Sequence, residues 1–135
     1  MDLEARITFP GGKRVDAEIE GRSIPTDQPV AAGGYGSAPE PFALFAASIG
    51  TCAGFYVLAF CQSRGLPTSE IVLRERLRYQ DGRLAAVELD IELPDGFPER
   101  YREAVVRAAD TCKVKRALDA RPGFLVRAVP AAGRG

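Results

Sequence analysis

Three cysteines are the residues of this chain best suited to covalent chemistry, and their spacing limits which chemistry is open to them. Cys52, Cys61 and Cys112 form no Cys-x-x-Cys pair, and the sequence contains no histidine. A Ser-His-Asp triad and a Cys-His dyad are therefore absent, and zinc or iron-sulfur sites are disfavoured. We expect no metal and no cofactor. The chemistry that remains is that of free thiols.

Cys52 lies at the centre of a run of twenty uncharged residues, from Phe42 to Cys61. A helix of this length spans about 30 Å, so the run is either a buried central helix or a membrane span. Its many small residues suit close packing against a sheet and partner helices, which favours the buried helix and no membrane partner. Cys61 would lie about 13 Å from Cys52 along this helix, on roughly the opposite face. The two cannot form a disulfide, and we expect Cys61 to be a packing residue.

The surroundings of Cys52 and Cys112 differ in charge. Cys112 is predicted to begin a helix and is followed by Lys113, Lys115 and Arg116. A helix N-terminus and nearby cations both favour a thiolate. Cys52 has only uncharged sequence neighbours, so a reactive Cys52 needs a cation from elsewhere in the fold. From the residues alone, each thiol is either reactive or simply a small buried side chain, and both readings stay open.

Composition indicates a chain that folds as one domain, residues 1–135, with residues 130–135 as a flexible tail. Eighteen basic and eighteen acidic residues give a formal net charge of zero. Nothing in this balance favours nucleic acid or an anionic membrane as a partner, and near-neutrality permits self-association. The segment Met1 to Arg6 lacks a basic stretch followed by an apolar core, so we expect a cytoplasmic protein.

Hydrophobic periodicity predicts an α+β fold in which an antiparallel sheet packs on the long central helix. The predicted strands each carry one apolar and one charged face, so the sheet should cover the helix on one side only. The predicted elements, in chain order, are a hairpin of Leu3–Phe9 and Arg14–Ile19, a surface loop Ser23–Pro41, the helix Phe42–Arg64, a hairpin of Ile71–Tyr79 and Ala85–Leu93 around Asp81-Gly82, a helix after Pro98, a helix Cys112–Asp119 capped by Asp110 or Thr111, and a strand Phe124–Val129.

Two segments resemble the two cysteine motifs of the OsmC/Ohr family. The first is Ala38-Pro-Glu-Pro-Phe-Ala-Leu-Phe-Ala-Ala-Ser-Ile-Gly-Thr-Cys52, preceded by Gly33 and Gly34, and the second is Ala108-Ala-Asp-Thr-Cys112-Lys-Val-Lys-Arg-Ala-Leu118. Their order, their spacing and the strand pair between them also match, so the resemblance covers nearly the whole chain. The continuation after Cys52 is most similar to the OsmC-like branch.

The resemblance implies an intertwined homodimer, with the long helices packed centrally and two active sites at the subunit interface. It implies that Cys52 attacks a hydroperoxide and becomes a sulfenic acid, and that Cys112 captures it as a disulfide. An external dithiol or lipoyl-type reductant would then restore both thiols.

The supporting groups of the family match this sequence less closely. Family members activate the first thiol with an arginine from a Gly-Gly-Arg turn, where this chain has Lys13 followed by Arg14. Arginine can hold a carboxylate and face a thiolate together, whereas lysine is a point charge. The family's glutamate, nine or ten residues before the first cysteine, is replaced by Ala43 and Phe42, and the nearest acid is Glu40. Glu40 either reaches the site or stabilises the helix N-terminus.

These observations lead to three hypotheses. The first is a cytoplasmic OsmC-like thiol peroxidase that reduces organic or hydrogen peroxides through Cys52 and Cys112, assisted by Arg14, Lys13 or Glu40. The second is a non-catalytic OsmC-fold dimer whose pocket binds a small apolar or electrophilic ligand. The third is a structural domain in which all the cysteines belong to the core.

Overall fold

A computed structural model describes residues 2–131 of the chain. Seven of the elements are strands or helices of ordinary length: β1 (Ala5–Gly11), β2 (Arg14–Ile19), β3 (Arg22–Thr26), α1 (Pro41–Ser63), β4 (Val72–Gln80), β5 (Arg83–Glu92) and α2 (Arg102–Asp110). A short helix, α3 (Lys113–Asp119), follows α2, and single 3-10 turns occur at Val30–Ala32 and Glu99–Tyr101. The strands form two antiparallel sheets, and the α+β fold class is confirmed.

The N-terminal sheet has the strand order β1-β2-β3. The predicted hairpin of β1 and β2 is confirmed, and Gly12 in its turn adopts the left-handed conformation with φ 60°. Ile7, Ala17 and Ile24 are aligned across the three strands and therefore share one face of the sheet. That face is uncovered in the described chain, with Ile7 52% exposed. The strand β3 lies at the sheet edge, where Pro25 is tolerated, and this proline hid it from the sequence prediction.

The rest of the predicted surface loop is closed around one buried carboxylate, Asp27. Asp27 is 1% exposed, and its oxygens accept hydrogen bonds from the Ser37 hydroxyl (2.6 Å), the Ser37 backbone N–H (3.0 Å) and the Gln28 backbone N–H (2.7 Å). Chiefly because of the Ser37 hydroxyl bond, the pKa of Asp27 is lowered to about 2. Gly34 has no room for a side chain, because a Cβ there would overlap the carbonyl oxygen of Gln28. The segment is thus a compact loop rather than an extended one.

The long helix α1 begins at Pro41, a position where proline is favoured because its missing N–H would be unpaired anyway. Ile49, Ala53, Val57 and Cys61 are buried along it at four-residue spacing and face the core. Among the described residues α1 is the one helix long and apolar enough to span a membrane. That is weak evidence of a span, since the core helix of a soluble protein passes the same test.

The β4-β5 hairpin covers α1 on one side, as predicted. Its turn, Asp81 and Gly82, has φ angles of 52° and 75°, the geometry that matches the twist of the flanking strands. Leu73, Leu89 and Ile91 pack against the core cluster of α1 and α2. The opposite face carries diagonal cross-strand ion pairs, each offset by two residues from the directly opposite position, namely Arg74 with Glu92, Arg76 with Asp90 and Arg78 with Glu88.

Two predictions for the C-terminal part are wrong. The cap of α3 is Cys112 itself, not Asp110 or Thr111, because its Sγ accepts the N–H of Lys115 at 3.5 Å. The strand predicted for Phe124–Val129 is absent, and Phe124 and Val126 are each 93% exposed. A strand needs a neighbour to pair its backbone groups, and none of the described strands pairs with this segment. Of the predicted tail 130–135, residues 132–135 lie outside the described residues.

Candidate active site

The fold brings together the side chains of Cys52 and Cys112, which are 60 positions apart in the sequence. Helix α2 packs along α1, and the chain then turns at Thr111 and Cys112 so that α3 also contacts α1. The start of α3 is thereby placed against the middle of α1. The side chain of Cys112 and the first backbone N–H groups of α3 are close enough to the Cys52 thiol to affect its charge.

The environment of Cys52 favours the thiolate. Burial opposes the charge and is the largest single influence on this thiol. The backbone N–H groups of Val114 and Lys113, the Cys112 side chain and the positive charge of Arg116 together outweigh burial, so the pKa of Cys52 is lowered. The N-terminal amides of α3 thus act on a sulfur that belongs to a different helix.

Arg116 supplies the cation that the neighbours of Cys52 lack. Its guanidinium donates a hydrogen bond to the Tyr56 hydroxyl at 3.3 Å, and Tyr56 lies one turn after Cys52 on α1. This bond fixes the positive charge on the side of α1 that carries the thiol. From the sequence, the basic run after Cys112 is expected to favour a thiolate at Cys112 itself. In the structure, Arg116 acts on Cys52.

Cys112 is enclosed at the helix junction and is only 2% exposed. Its Sγ accepts the Lys115 N–H at 3.5 Å and donates to the Ile49 carbonyl oxygen at 3.9 Å. Cys112 thus caps α3 and lies against the carbonyl oxygen of Ile49 on α1.

Cys61 is fully buried in the core cluster. Burial raises the pKa of its thiol, against a smaller opposing influence from the charge of Arg64. A protonated thiol in this position is a packing residue, as its place in the sequence suggested.

Lys13, Arg14 and Glu40 are not brought to Cys52 within one chain. Arg14 pairs with Asp16 at 2.7 Å and is not among the groups that set the pKa of Cys52. Lys13 follows the β1-β2 turn and its Cε lies against Gly33 of the Asp27 loop. Glu40 is the exposed N-cap residue of α1, about 18 Å from Cys52 along the helix axis.

Glu75 is a half-buried residue with one buried carboxyl oxygen, and sequence reasoning missed it. It lies on β4 opposite Leu89, on the face that packs against α1, and its Oε2 has no hydrogen-bond partner among the described residues. A Cβ at position 50 would approach Glu75 Oε1 to 3.0 Å, so Gly50 leaves it room. Burial raises the pKa of Glu75. The sequence did offer one sign of this carboxyl, because Glu75 stands between Leu73 and Leu77 on the strand face that is otherwise apolar.

An open pocket of about 830 Å³ lies between β5 and the helices α2 and α3. Its lining includes Ile49, Leu89, Val106, Leu118 and Cys112. A largely apolar cavity of this size with a thiol in its wall has the dimensions of a small-molecule site. The described residues contain no group of His, Cys, Asp and Glu that could hold a metal ion.

A core helix packed on a two-stranded sheet, with a thiolate-favouring cysteine at its middle and a second cysteine at the start of α3, defines a cysteine-centred α+β protein. The family model described as OsmC-like protein matches residues 34–124. The chain belongs to the OsmC-like family. That segment contains both cysteine motifs and the pocket. No curated protein matches the sequence.

Solved structures share the fold at low sequence identity. A protein described as a putative osmotic stress induced and detoxification response protein, from Psychrobacter arcticus, is 20% identical, with a TM-score of 0.68 and coverage of 84% of this chain and 85% of that one. An organic hydroperoxide resistance protein OsmC from Legionella pneumophila is 19% identical, with a TM-score of 0.57 and coverage of 87% and 89%. A putative organic hydroperoxide resistance protein from Vibrio cholerae, with captopril bound in one of its active sites, is 20% identical, with a TM-score of 0.55 and coverage of 87% and 85%.

Proposed function

We propose that this protein is a thiol-dependent peroxidase that reduces organic or hydrogen peroxides through Cys52 and Cys112. The observation that carries the proposal is the grouping of Cys112, the first amides of α3 and Arg116 around Cys52, which lowers the pKa of the Cys52 thiol. A peroxidatic thiol must be a thiolate to attack, and a resolving thiol must lie within bonding reach of it. Membership of the OsmC-like family agrees with this chemistry.

The reaction follows from this arrangement in two steps. The Cys52 thiolate attacks one peroxide oxygen, the O–O bond breaks, and the alkoxide leaves and takes a proton to become an alcohol. Cys52 is then a sulfenic acid. The Cys112 sulfur attacks the Cys52 sulfur, the S–O bond breaks, and the departing hydroxide combines with the proton from Cys112 to form water. The product is a Cys52–Cys112 disulfide, which an external dithiol or lipoyl-type reductant returns to two thiols.

We propose that the remaining predicted site residues approach the thiol pair in a homodimer. The apolar face of the N-terminal sheet, with Ile7 and Ile24, is uncovered in one chain, and so is Phe55 on α1. The Arg14 Nε atom is buried without a hydrogen-bond partner among the described residues. A second copy packed on these faces would cover them and allow Arg14, Lys13 or Glu40 to approach the partner's thiol pair. We propose this cytoplasmic homodimer as the working form.

Steady-state turnover tests the proposal. Purified protein with dithiothreitol should consume an alkyl hydroperoxide, Cys52→Ser should be inactive, and Cys112→Ser should lose most turnover while still reacting once per site. Cys61→Ser, a cysteine variant outside the pair, should keep the activity. Turnover that survives Cys52→Ser would reject the proposal.

A second candidate function is supported by the pocket beside Cys112. Its volume of about 830 Å³ suits a small apolar or electrophilic ligand, and Ala43 and Phe42 stand where the family has its glutamate. In that case the protein would bind such a ligand without turnover. Saturable binding of an apolar fluorophore by protein whose thiols stay reduced under hydroperoxide would favour this candidate over the peroxidase.

A further inference from the structure

The pocket between β5 and α2-α3 borders one cysteine of the pair and not the other. Cys112 is among its lining residues, whereas Cys52, which is partly exposed, is not. The walls are mostly apolar, with Ile49, Val106 and Leu118 among them. Because Cys112 is only 2% exposed and borders the pocket, the pocket is the side from which a small molecule would approach its sulfur.

We propose that this pocket admits the reducing dithiol, and that the dithiol attacks the Cys112 sulfur of the oxidised protein. The inference rests on the proposed function, because it requires a Cys52–Cys112 disulfide. It assigns a direction to the reduction: the reductant becomes attached to Cys112, and Cys52 is the sulfur that leaves.

The leaving-group chemistry agrees with this direction. In thiol-disulfide exchange, the thiol with the lower pKa leaves faster. The groups that lower the pKa of the Cys52 thiol, namely the amides of Val114 and Lys113 and the charge of Arg116, stabilise the thiolate that forms when the disulfide breaks. Attack at Cys112 therefore releases a thiolate that these groups stabilise.

The two exchanges balance as follows. A thiolate of the dithiol forms a bond to Cys112 Sγ, the Cys52–Cys112 bond breaks, and its electron pair passes to Cys52 Sγ. The second thiol of the reductant loses its proton and attacks the reductant's own sulfur in the mixed disulfide. A cyclic disulfide is released, and Cys112 Sγ takes up a proton. The reductant loses two electrons and the protein gains them.

The charges at the pocket favour a dithiol on an apolar stem. Lys115 is paired with Asp110 at 2.6 Å, and Asp90 is paired with Arg76 on the sheet. Arg107 adds one positive charge to the lining, so an acidic group on the reductant is also accommodated. The apolar walls favour a stem of methylene groups, because burying such groups is favourable.

Trapping the mixed disulfide tests the direction. The disulfide is first made with diamide, so that the result does not depend on peroxide chemistry, and its Cys52–Cys112 connectivity is confirmed by peptide mass spectrometry. The oxidised protein is then mixed briefly with the monothiol mercaptooctanoate, which cannot complete the second exchange. After an acid quench and alkylation, we expect mercaptooctanoate on Cys112 and the alkyl group on Cys52. Adducts found mainly on Cys52 would overturn the proposal.

Reduction rates test the pocket as the route. Mercaptooctanoate should reduce the disulfide at least about tenfold faster than mercaptopropanoate, which carries the same carboxylate, because its longer stem is buried. Val106→Asn, an uncharged polar change at a half-exposed wall position, should reduce this preference, while the rate with mercaptopropanoate stays the same. Arg100→Asn, on the surface beside Tyr101, is the control and should leave both rates unchanged. Equal reduction rates with the two monothiol reagents in the unaltered protein would reject the pocket as the route of entry.

The proposed function and this inference fail in different ways. If hydroperoxide yields no disulfide but the diamide-made disulfide is attacked at Cys112, the peroxidase proposal fails and the reduction route stands. If hydroperoxide yields the disulfide and attack occurs at Cys52, the peroxidase proposal stands and the reduction route fails.

Discussion

Cys52 and Cys112 are chemically the same side chain, and the difference between them comes from what surrounds each sulfur. Cys52 faces backbone N–H groups of α3 and the charge of Arg116, and its pKa is lowered. Cys112 is buried, caps α3 and lies against the Ile49 carbonyl oxygen. Since amides and cations stabilise a thiolate, we propose Cys52 as the attacking sulfur and the enclosed Cys112 as the resolving one.

Arg116→Ala should raise the pKa of Cys52, because it removes the positive charge near the thiolate. At neutral pH we expect severalfold slower alkylation by iodoacetamide, with the pH profile of the rate displaced upward. The measurement is alkylation of a Cys61→Ser background followed across pH. Arg100→Ala, an arginine stacked on Tyr101 instead, is the control and should leave the profile unchanged. An unaltered profile in Arg116→Ala would show that the amides of α3 act alone.

Glu75→Gln should stabilise the protein at neutral pH. Burial raises the pKa of the Glu75 carboxyl above 4.5, so the folded state favours its protonated form. Its contribution to stability is therefore present below pH 4.5 and lost as the pH rises through the raised pKa. Urea unfolding should give the variant a larger free energy of unfolding than the unaltered protein at neutral pH, and an equal one near pH 4.5.

Glu70→Gln, at an exposed turn position, is the control for that comparison and should have little effect. A Glu75→Gln protein that is less stable at neutral pH would mean that a cation holds the carboxylate in the working assembly.

The sequence indicated the pairing of Cys52 with Cys112 and the packing role of Cys61 more readily than it indicated the groups around the pair. Cys52 and Cys112 stand in motifs, so their types and spacing carry the information. Arg116 was visible in the basic run, but its action on Cys52 depends on how α3 docks on α1, which is a tertiary fact. Lys13 and Arg14 were expected beside Cys52, and within one chain they lie elsewhere.

At the scale of elements, the Asp27 loop is held by a single carboxylate. Hydrogen bonds from Ser37, Gln28 and Tyr35 converge on Asp27 and join the two ends of the loop. The Tyr35 ring lies against Gly12, so the loop also braces the β1-β2 turn. An ordered loop here positions the segment that leads into α1.

Asp27→Asn should lower the melting temperature, because an amide cannot accept the set of bonds that the carboxylate accepts. The pKa of Asp27 is lowered from 3.8 to about 2, so its stabilisation is present above pH 3.8 and lost as the pH falls towards 2. The gap between the two proteins should therefore close at acid pH. Thermal melts across pH measure it, with exposed Asp95→Asn as the control. A constant gap would contradict the assignment.

The sequence predicted correctly those helices and strands whose apolar faces pack against another part of the same chain. The periodicity of α1 and the alternation of β4 and β5 set the helix and hairpin, because their apolar faces meet within the chain. The segment Phe124–Val129 has strand-forming residues, yet it lacks a neighbour among the described strands. Local propensity does not fix an element whose partner lies elsewhere.

At the scale of the whole molecule, the N-terminal sheet leaves its apolar face open. Ile7, Ala17 and Ile24 share that face, and the ion pair of Arg6 and Glu18 marks the other. Exposed contiguous apolar surface of this kind is typical of an interface. A second copy of the chain would cover it in the proposed homodimer.

Ile7→Lys should weaken that homodimer, because a charge in the apolar face would be desolvated on association. Sedimentation velocity should show a dimer for the unaltered protein and a larger monomer fraction for the variant. Thr8→Lys places the same charge on the opposite face of β1 and should leave the dimer intact. Identical sedimentation of both variants and the unaltered protein would exclude this face from the interface.

The most direct test is to treat the reduced protein with one equivalent of an alkyl hydroperoxide and to map its cysteines by peptide mass spectrometry. If the proposed reaction occurs, we expect a disulfide between Cys52 and Cys112, with Cys61 reduced, and no bridge in Cys52→Ser. Reduced Cys52 and Cys112 after complete exposure to the hydroperoxide, or a bridge that includes Cys61, would contradict it.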